Sequence, residues 1–328
     1  MRVHTGPDAR GQGAVWRELD QAIPFYERSG DEAGLARALG TVGILRFWGG
    51  EAAAAVEDLA RAVRHARRAG ESAQETESLQ FMLMAMLRGP TPVPEALARI
   101  EELRSAAQTN RALRVHAMRV RAGLEAMRGD FETARGLIAQ AKELAAELGL
   151  ELTLARIAMQ AGPIELLAGD AVAAERELRP AYEVLRRTEH WGYLSSIVPR
   201  FVDALLAQGR DEEGLGATEL IERHIVAEDV DGHVGWRRVR ASLLARRGEL
   251  EQAKRLAREA TAMAERTDYL ELRAEALVAL AEVLQIADSP KESASALEKA
   301  IRLYEQKGNV VAAKRGRNQF AEPQLGTA

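Results

Sequence analysis

Apolar residues recur along most of the chain at spacings of three and four, the mark of one buried face on an α-helix. Leu277, Leu280, Ala281 and Leu284 stand at i, i+3, i+4 and i+7, and Ala134, Ile138 and Ala141 share one helix face in "GDFETARGLIAQA". Short breaks, commonly a glycine with an acidic residue beside it, separate such stretches, whereas the period-two alternation of a strand is nearly absent. The pattern predicts first helices over about 31–48, 73–88, 111–128, 151–168, 191–207, 233–247 and 270–286. Second helices are predicted over about 51–69, 93–108, 131–148, 171–188, 211–226, 249–266 and 290–306. A leading helix near 15–28 and a closing one near 309–321 would cap the ends.

The paired helices are copies of one unit. A small residue follows each turn, at Ala55, Ala96, Ala134, Ala174, Gly214, Ala253 and Ser293, with separations of 38 to 41 residues. A small residue at a helix crossing lets the neighbouring backbone approach closely. Gly129, Gly169, Gly209 and Gly248 mark the turns, Asp288 stands in place of one such glycine, and Asp130 is placed to cap the helix that follows. "RGPTPVPEAL", Arg88 to Leu97, replaces a tight turn with a three-proline connection, and Pro180 and Pro199 fall inside predicted helices, where kinks or local breaks are expected. The repeats cover 15–321, leaving a poorly ordered segment over 1–14 and a tail over 322–328.

A small residue at the crossing, a bulky apolar one four later and an alanine three after that, with Gly-Asp ahead, resembles the tetratricopeptide repeat, best seen in "GDFETARGLIAQA" and "GDAVAAERELRPA". The period near 40 exceeds that family's usual ~34. It is similar to the long-period, MalT-like arrays of bacterial transcription activators, signalling ATPases and adenylate cyclase fusions. The segment from Ala296 to Arg317 is similar to their last repeat. The resemblance implies an all-α, right-handed solenoid of about seven helix-turn-helix repeats, with the first helices lining a concave face. It places His116, Arg119, Arg156, Met159, Asp203, Arg238, Glu275 and Glu282 on that face. Relatives that clamp a peptide carboxylate do so with paired asparagines and lysines, whereas the asparagines here are Asn110, Asn309 and Asn318, which argues against that clamp.

Composition narrows the function by exclusion. The net charge of -4 is spread in alternating signs over predicted helix faces, so direct nucleic-acid contact is not expected. With no cysteine and no 18-residue apolar run, the chain reads as soluble and cytoplasmic. Phosphate-loop, zinc-protease, EF-hand and nucleophile-elbow motifs are absent, and no histidine has a second ligand at i, i+4. Neither metal, cofactor nor catalysis is expected. His190 and Trp191, with His233 and Trp236, open first helices in adjacent repeats, where they either pack between repeats or form an aromatic and basic recognition patch. The expected role is a non-enzymatic regulatory or sensory module that binds a protein or peptide. A small-molecule inducer and self-association are the alternatives; an enclosed pocket would favour a small ligand and a long open groove a polypeptide.

Overall fold

The computed structural model describes residues 12–103, 110–225 and 229–321. Among them it forms sixteen α-helices and no strand. A leading helix, α1 (Gln12–Ser29), precedes seven antiparallel pairs. These are α2 (Glu32–Gly49) with α3 (Ala52–Ala69), α4 (Ser72–Arg88) with α5 (Val93–Glu102), α6 (Arg111–Arg128) with α7 (Phe131–Glu147), and α8 (Glu151–Ala168) with α9 (Ala171–Arg187). They continue as α10 (Trp191–Leu206) with α11 (Asp211–His224), α12 (Val230–Arg246) with α13 (Leu250–Ala264), and α14 (Leu270–Ile286) with α15 (Pro290–Lys307), before α16 (Val310–Ala321) closes the array. The first helix begins at Gln12, three residues ahead of the expected boundary.

Local chemistry explains the repeat. Gly129 takes φ +93°, a left-handed value that lets the chain reverse, and the Asp130 carboxylate accepts from the Thr133 backbone N–H at 3.1 Å to cap α7. Asp170 caps α9 in the same way, accepting from Ala173 N–H at 2.8 Å. Asp288 occupies the left-handed position at φ 53°, which Gly129, Gly169, Gly209 and Gly248 hold in other copies. The small crossing residues Ala55, Ala96, Ala134, Ala174 and Ala253 are wholly buried. Against them the first helix is also thinned: a Cβ on Gly162 would lie 2.4 Å from Leu178 Cγ, the bulky residue four positions after Ala174.

Two expectations are corrected. Helices α9 and α10 run without a break through Pro180 and Pro199. One lost N–H is tolerated there because Leu178, Ala181, Ile197, Val198 and Phe201 on either side are buried in neighbouring repeats. The second helix of the pair after the proline connection is shorter than expected: the chain is extended at Gly89 and Pro92, α5 begins at Val93 as expected, and it ends at Glu102 rather than near 108. Residues 104–109 lie outside the described residues.

The array closes on itself after about five repeats, because α12 packs on α2, α14 on α4 and α16 on α6. Helix ends make this seam. The N-cap residue of α3, Glu51, supplies no side-chain cap; Asp268, ahead of α14, accepts from Ala52 N–H at 2.7 Å and Ala53 N–H at 2.8 Å instead. Asp268 N–H in turn donates to Gly50 O at 3.0 Å. At the C-terminal end of α4, the ammonium of Lys307, 0% exposed, donates to the carbonyls of Met86, Gly89 and Thr91 at 2.7, 2.9 and 2.7 Å. Tyr269 donates to Phe47 O, Arg88 pairs with Asp231, and Arg315 reaches the carbonyls of Leu166 and Leu167 at 3.2 and 3.0 Å.

Asp288→Gly is expected to raise stability by about 0.5–1 kcal/mol, and Gly129→Ala to lower it by about 1 kcal/mol, both read by urea denaturation. Lys307→Met strands three carbonyls and is expected to cost about 3 kcal/mol. Amide exchange should then quicken at the ends of α4 and α15 together; a loss confined to α15 would contradict the seam.

Candidate functional site

Closure turns the concave face into a half-open lumen. A cavity of about 520 Å³ lies between the two turns of the superhelix, lined from α4, α6, α8, α10, α12 and α14, with Tyr304 of α15 and Asn309 and Arg315 closing one side. Its size is that of a ligand pocket rather than a protein-binding groove. First helices supply most of the lining because their partners pack outside them, and each contributes one inward-facing stripe.

Two electrostatic regions differ sharply. In the first, Arg238 grips Asp203 through both Nη atoms, at 2.7 and 2.8 Å, while Arg200 meets Glu275 at 2.7 Å and Asp203 at 3.8 Å. Arg238 also lies 3.9 Å from Glu275, so two cations and two anions from α10, α12 and α14 alternate. Burial works against the Arg238 charge, but Asp203 and then Glu275 hold its pKa above the ordinary arginine value. Burial alone would raise Glu275, but Arg200 and Arg238 hold it below the carboxylate range. Beside them, burial and the nearby Glu275 push Glu271 up to about 7, with Asn309 Nδ2 donating to it at 2.9 Å. Glu282 also lines the cavity; burial raises its pKa.

The second region, on α6 and α8, is uncompensated. Arg119 is 2% exposed, yet among the described residues no carboxylate pairs with it; its one bond is a long one of 3.4 Å from Nη1 to Arg156 O. Its Nε and Nη2 have no partner. Burial and then Arg156 push Arg119 down to about 9, and burial lowers Arg156 as well. Arg156 has no ion pair among the described residues either: besides Arg119 it meets the Tyr193 ring, 5.8 Å from its guanidinium carbon, and the Gln80 amide. With its amide turned so that the oxygen faces Arg156, Gln80 accepts from Nη1 at 3.1 Å and donates to His116 Nε2 at 3.0 Å. Burial, Arg119 and Arg156 lower the His116 pKa to about 2, so its ring is neutral.

No protein-family model and no curated protein matches the sequence. Solved structures do. The chain is similar to NprR in complex with its cognate peptide NprX, with TM-score 0.55, 13% identity, and 76% of this chain matched to 74% of that one. It is similar to the apo form of the quorum sensor NprR from B. thuringiensis, at TM-score 0.51 and 12% identity over 92% of this chain and 83% of that one. Yeast Tom70 matches at TM-score 0.50 and 15% identity over 98% of this chain and 62% of that one. At such low identity these likenesses show the fold alone, an all-α array of helical repeats.

Within this helical-repeat array the eight residues expected on the concave face separate by role. Arg119, Met159, Asp203, Arg238, Glu275 and Glu282 line the cavity. His116 is buried behind Arg119, and Arg156 stands beside it. Trp236 is buried in the core, with Arg237 4.4 Å over its ring, while Trp191 stacks on His224 at 3.9 Å and packs against the same cluster. His190 begins α10 without a side-chain cap, and His233 accepts from Arg237 through its carbonyl at 3.1 Å; none of these four lines the cavity. Asn110 and Asn309 cap α6 and α16, accepting from Leu113 N–H and Ala312 N–H, each at 3.0 Å. Residues not anticipated, Arg200 and Glu271, lie one turn before Asp203 and Glu275, so helical periodicity alone could have found them. Gln80 carried no such signal. No helix among the described residues is long and apolar enough to cross a membrane, and no group of three or more His, Cys, Asp or Glu is placed to hold a metal.

Arg238→Met removes the bidentate partner of Asp203 and leaves Arg200 as the one cation shared by Asp203 and Glu275. Urea denaturation should report a loss of about 3 kcal/mol.

Proposed function

We propose that the chain is a non-enzymatic receptor module whose lumen holds a short peptide, acting in the cytoplasm as part of a bacterial signalling or transcription system. The observation that carries this reading is the 520 Å³ cavity lined by the first helices of consecutive repeats, where charged side chains of both signs converge beside an apolar stretch of Met84, Leu87, Met127 and Met159. NprR, which shares the fold, was solved with its cognate peptide, and this supports a peptide as occupant. Closure argues against a folded protein in the lumen; an effector or partner protein would meet the outer face. Because the lining comes from both turns, an occupant that contacts both would bias the seam and so the pitch of the array. The enclosure also favours a second reading, a small-molecule inducer such as MalT-like arrays are thought to sense.

Affinity selection from a random hexapeptide library tests the proposal, with Ser242→Trp, which fills the lumen from α12, as the control. Peptides recovered on the wild type should lose at least tenfold in affinity on Ser242→Trp. Peptides that bind both proteins equally would overturn the lumen as the site.

A further inference from the structure

We propose that Arg119, which lines the lumen, forms a carboxylate-binding subsite at one end of it, with Arg156 adding charge from beside it. This rests on the lumen being the ligand site and names the chemical group its ligand must carry. The argument starts from an internal comparison. Arg119 and Arg238 hold the same place in their repeats, ten residues before the turn glycines Gly129 and Gly248. Both guanidiniums are buried and both line the cavity. Arg238 is bracketed by Asp203 and Glu275, whereas Arg119 has a second cation, Arg156, and no anion among the described residues. A buried charge without a counter-charge is costly, and two of like sign cost more. The fold supplies the balancing anions at one register and omits them at the equivalent one.

The atoms left unpaired say which anion fits. Nε and Nη2 of Arg119 are the two donors along one edge of the guanidinium plane, and both lack a partner. Two parallel N–H groups on one edge match the two oxygens of a carboxylate. Arg238 spends its Nη pair on Asp203 in that bidentate manner. Arg156 adds charge from the adjacent repeat, with Tyr193 over its guanidinium and Gln80 beside it. Gly123, Ala126, Met127 and Met159 line the lumen on the same two helices, with Gln160 as the polar exception, so the carboxylate would end a mainly apolar body.

The test uses hexanoate against hexanamide, a pair matched in shape and differing in charge, with hexylphosphonate as a second anion, all at fixed ionic strength. Hexanoate should raise the Tm of the wild-type protein more than either control does. Arg119→Met should abolish the hexanoate response and, by removing an unbalanced buried charge, raise the ligand-free Tm by about 2 °C. A residue with a merely structural role would lower it. Equal responses to hexanoate and hexanamide, an equal or larger response to hexylphosphonate, or a lower ligand-free Tm in Arg119→Met would each overturn the subsite. If hexanoate and hexanamide stabilise the wild type alike and neither stabilises Ser242→Trp, the lumen still binds ligand and only the subsite falls. If both stabilise Ser242→Trp as strongly as the wild type, the lumen reading falls with it. Among selected hexapeptides, C-terminal amidation and Asp or Glu to Asn or Gln exchange show whether the carboxylate is terminal or from a side chain.

Discussion

Helix ends capped from a distant part of the chain are the constraint on which the rest of the structure depends. Every α-helix leaves N–H groups at one end and carbonyls at the other without internal partners. Several ends here are closed locally, as Asp130 closes α7. The N-terminus of α3 and the C-terminus of α4 are not: Asp268 supplies the acceptor for one and Lys307 the donor for the other, across more than two hundred residues of chain. Each places the charge that the helix dipole favours at that end. An open solenoid of the same repeats would leave these groups to water and would have a groove where this chain has a lumen.

Enclosure then changes the electrostatics of the lining. Arginine and glutamate side chains that would be screened on an open concave face are held out of bulk water, so their balance becomes a structural matter. Arg200, Asp203, Arg238 and Glu275 settle it among themselves. Arg119 and Arg156 do not, and the asymmetry gives the lumen a direction, with a compensated ion-pair ladder toward α14 and bare positive charge toward α6.

Most of the fold was legible in the sequence because its causes are local. The period near 40, the crossing residues such as Ala134 and Ala174, and the turn at Gly129 all act within one repeat and its neighbour, and the helices stand where the apolar pattern put them. Pro199 misled because a proline rule is local too, while the burial of Val198 and Phe201 that carries α10 through it is not. The candidate site was legible only as a set of inward positions. Which of them are satisfied depends on pairs such as Arg238 with Asp203, whose partners come from different helices, and on closure by Lys307, one of only six lysines, with no local pattern to single it out.

The seam also limits how such a chain can evolve. Linear repeat arrays gain and lose units readily, because each unit contacts only its neighbours and an insertion merely lengthens the rod. Here a unit added or deleted between Ala52 and Asp268 would carry the carboxylate past the helix end it caps and move Lys307 away from the end of α4. The number of units in one circuit is therefore held fixed by chemistry at its two ends. Duplication is tolerated only outside the circuit, and variation within it is confined to substitution, above all of the side chains that face inward.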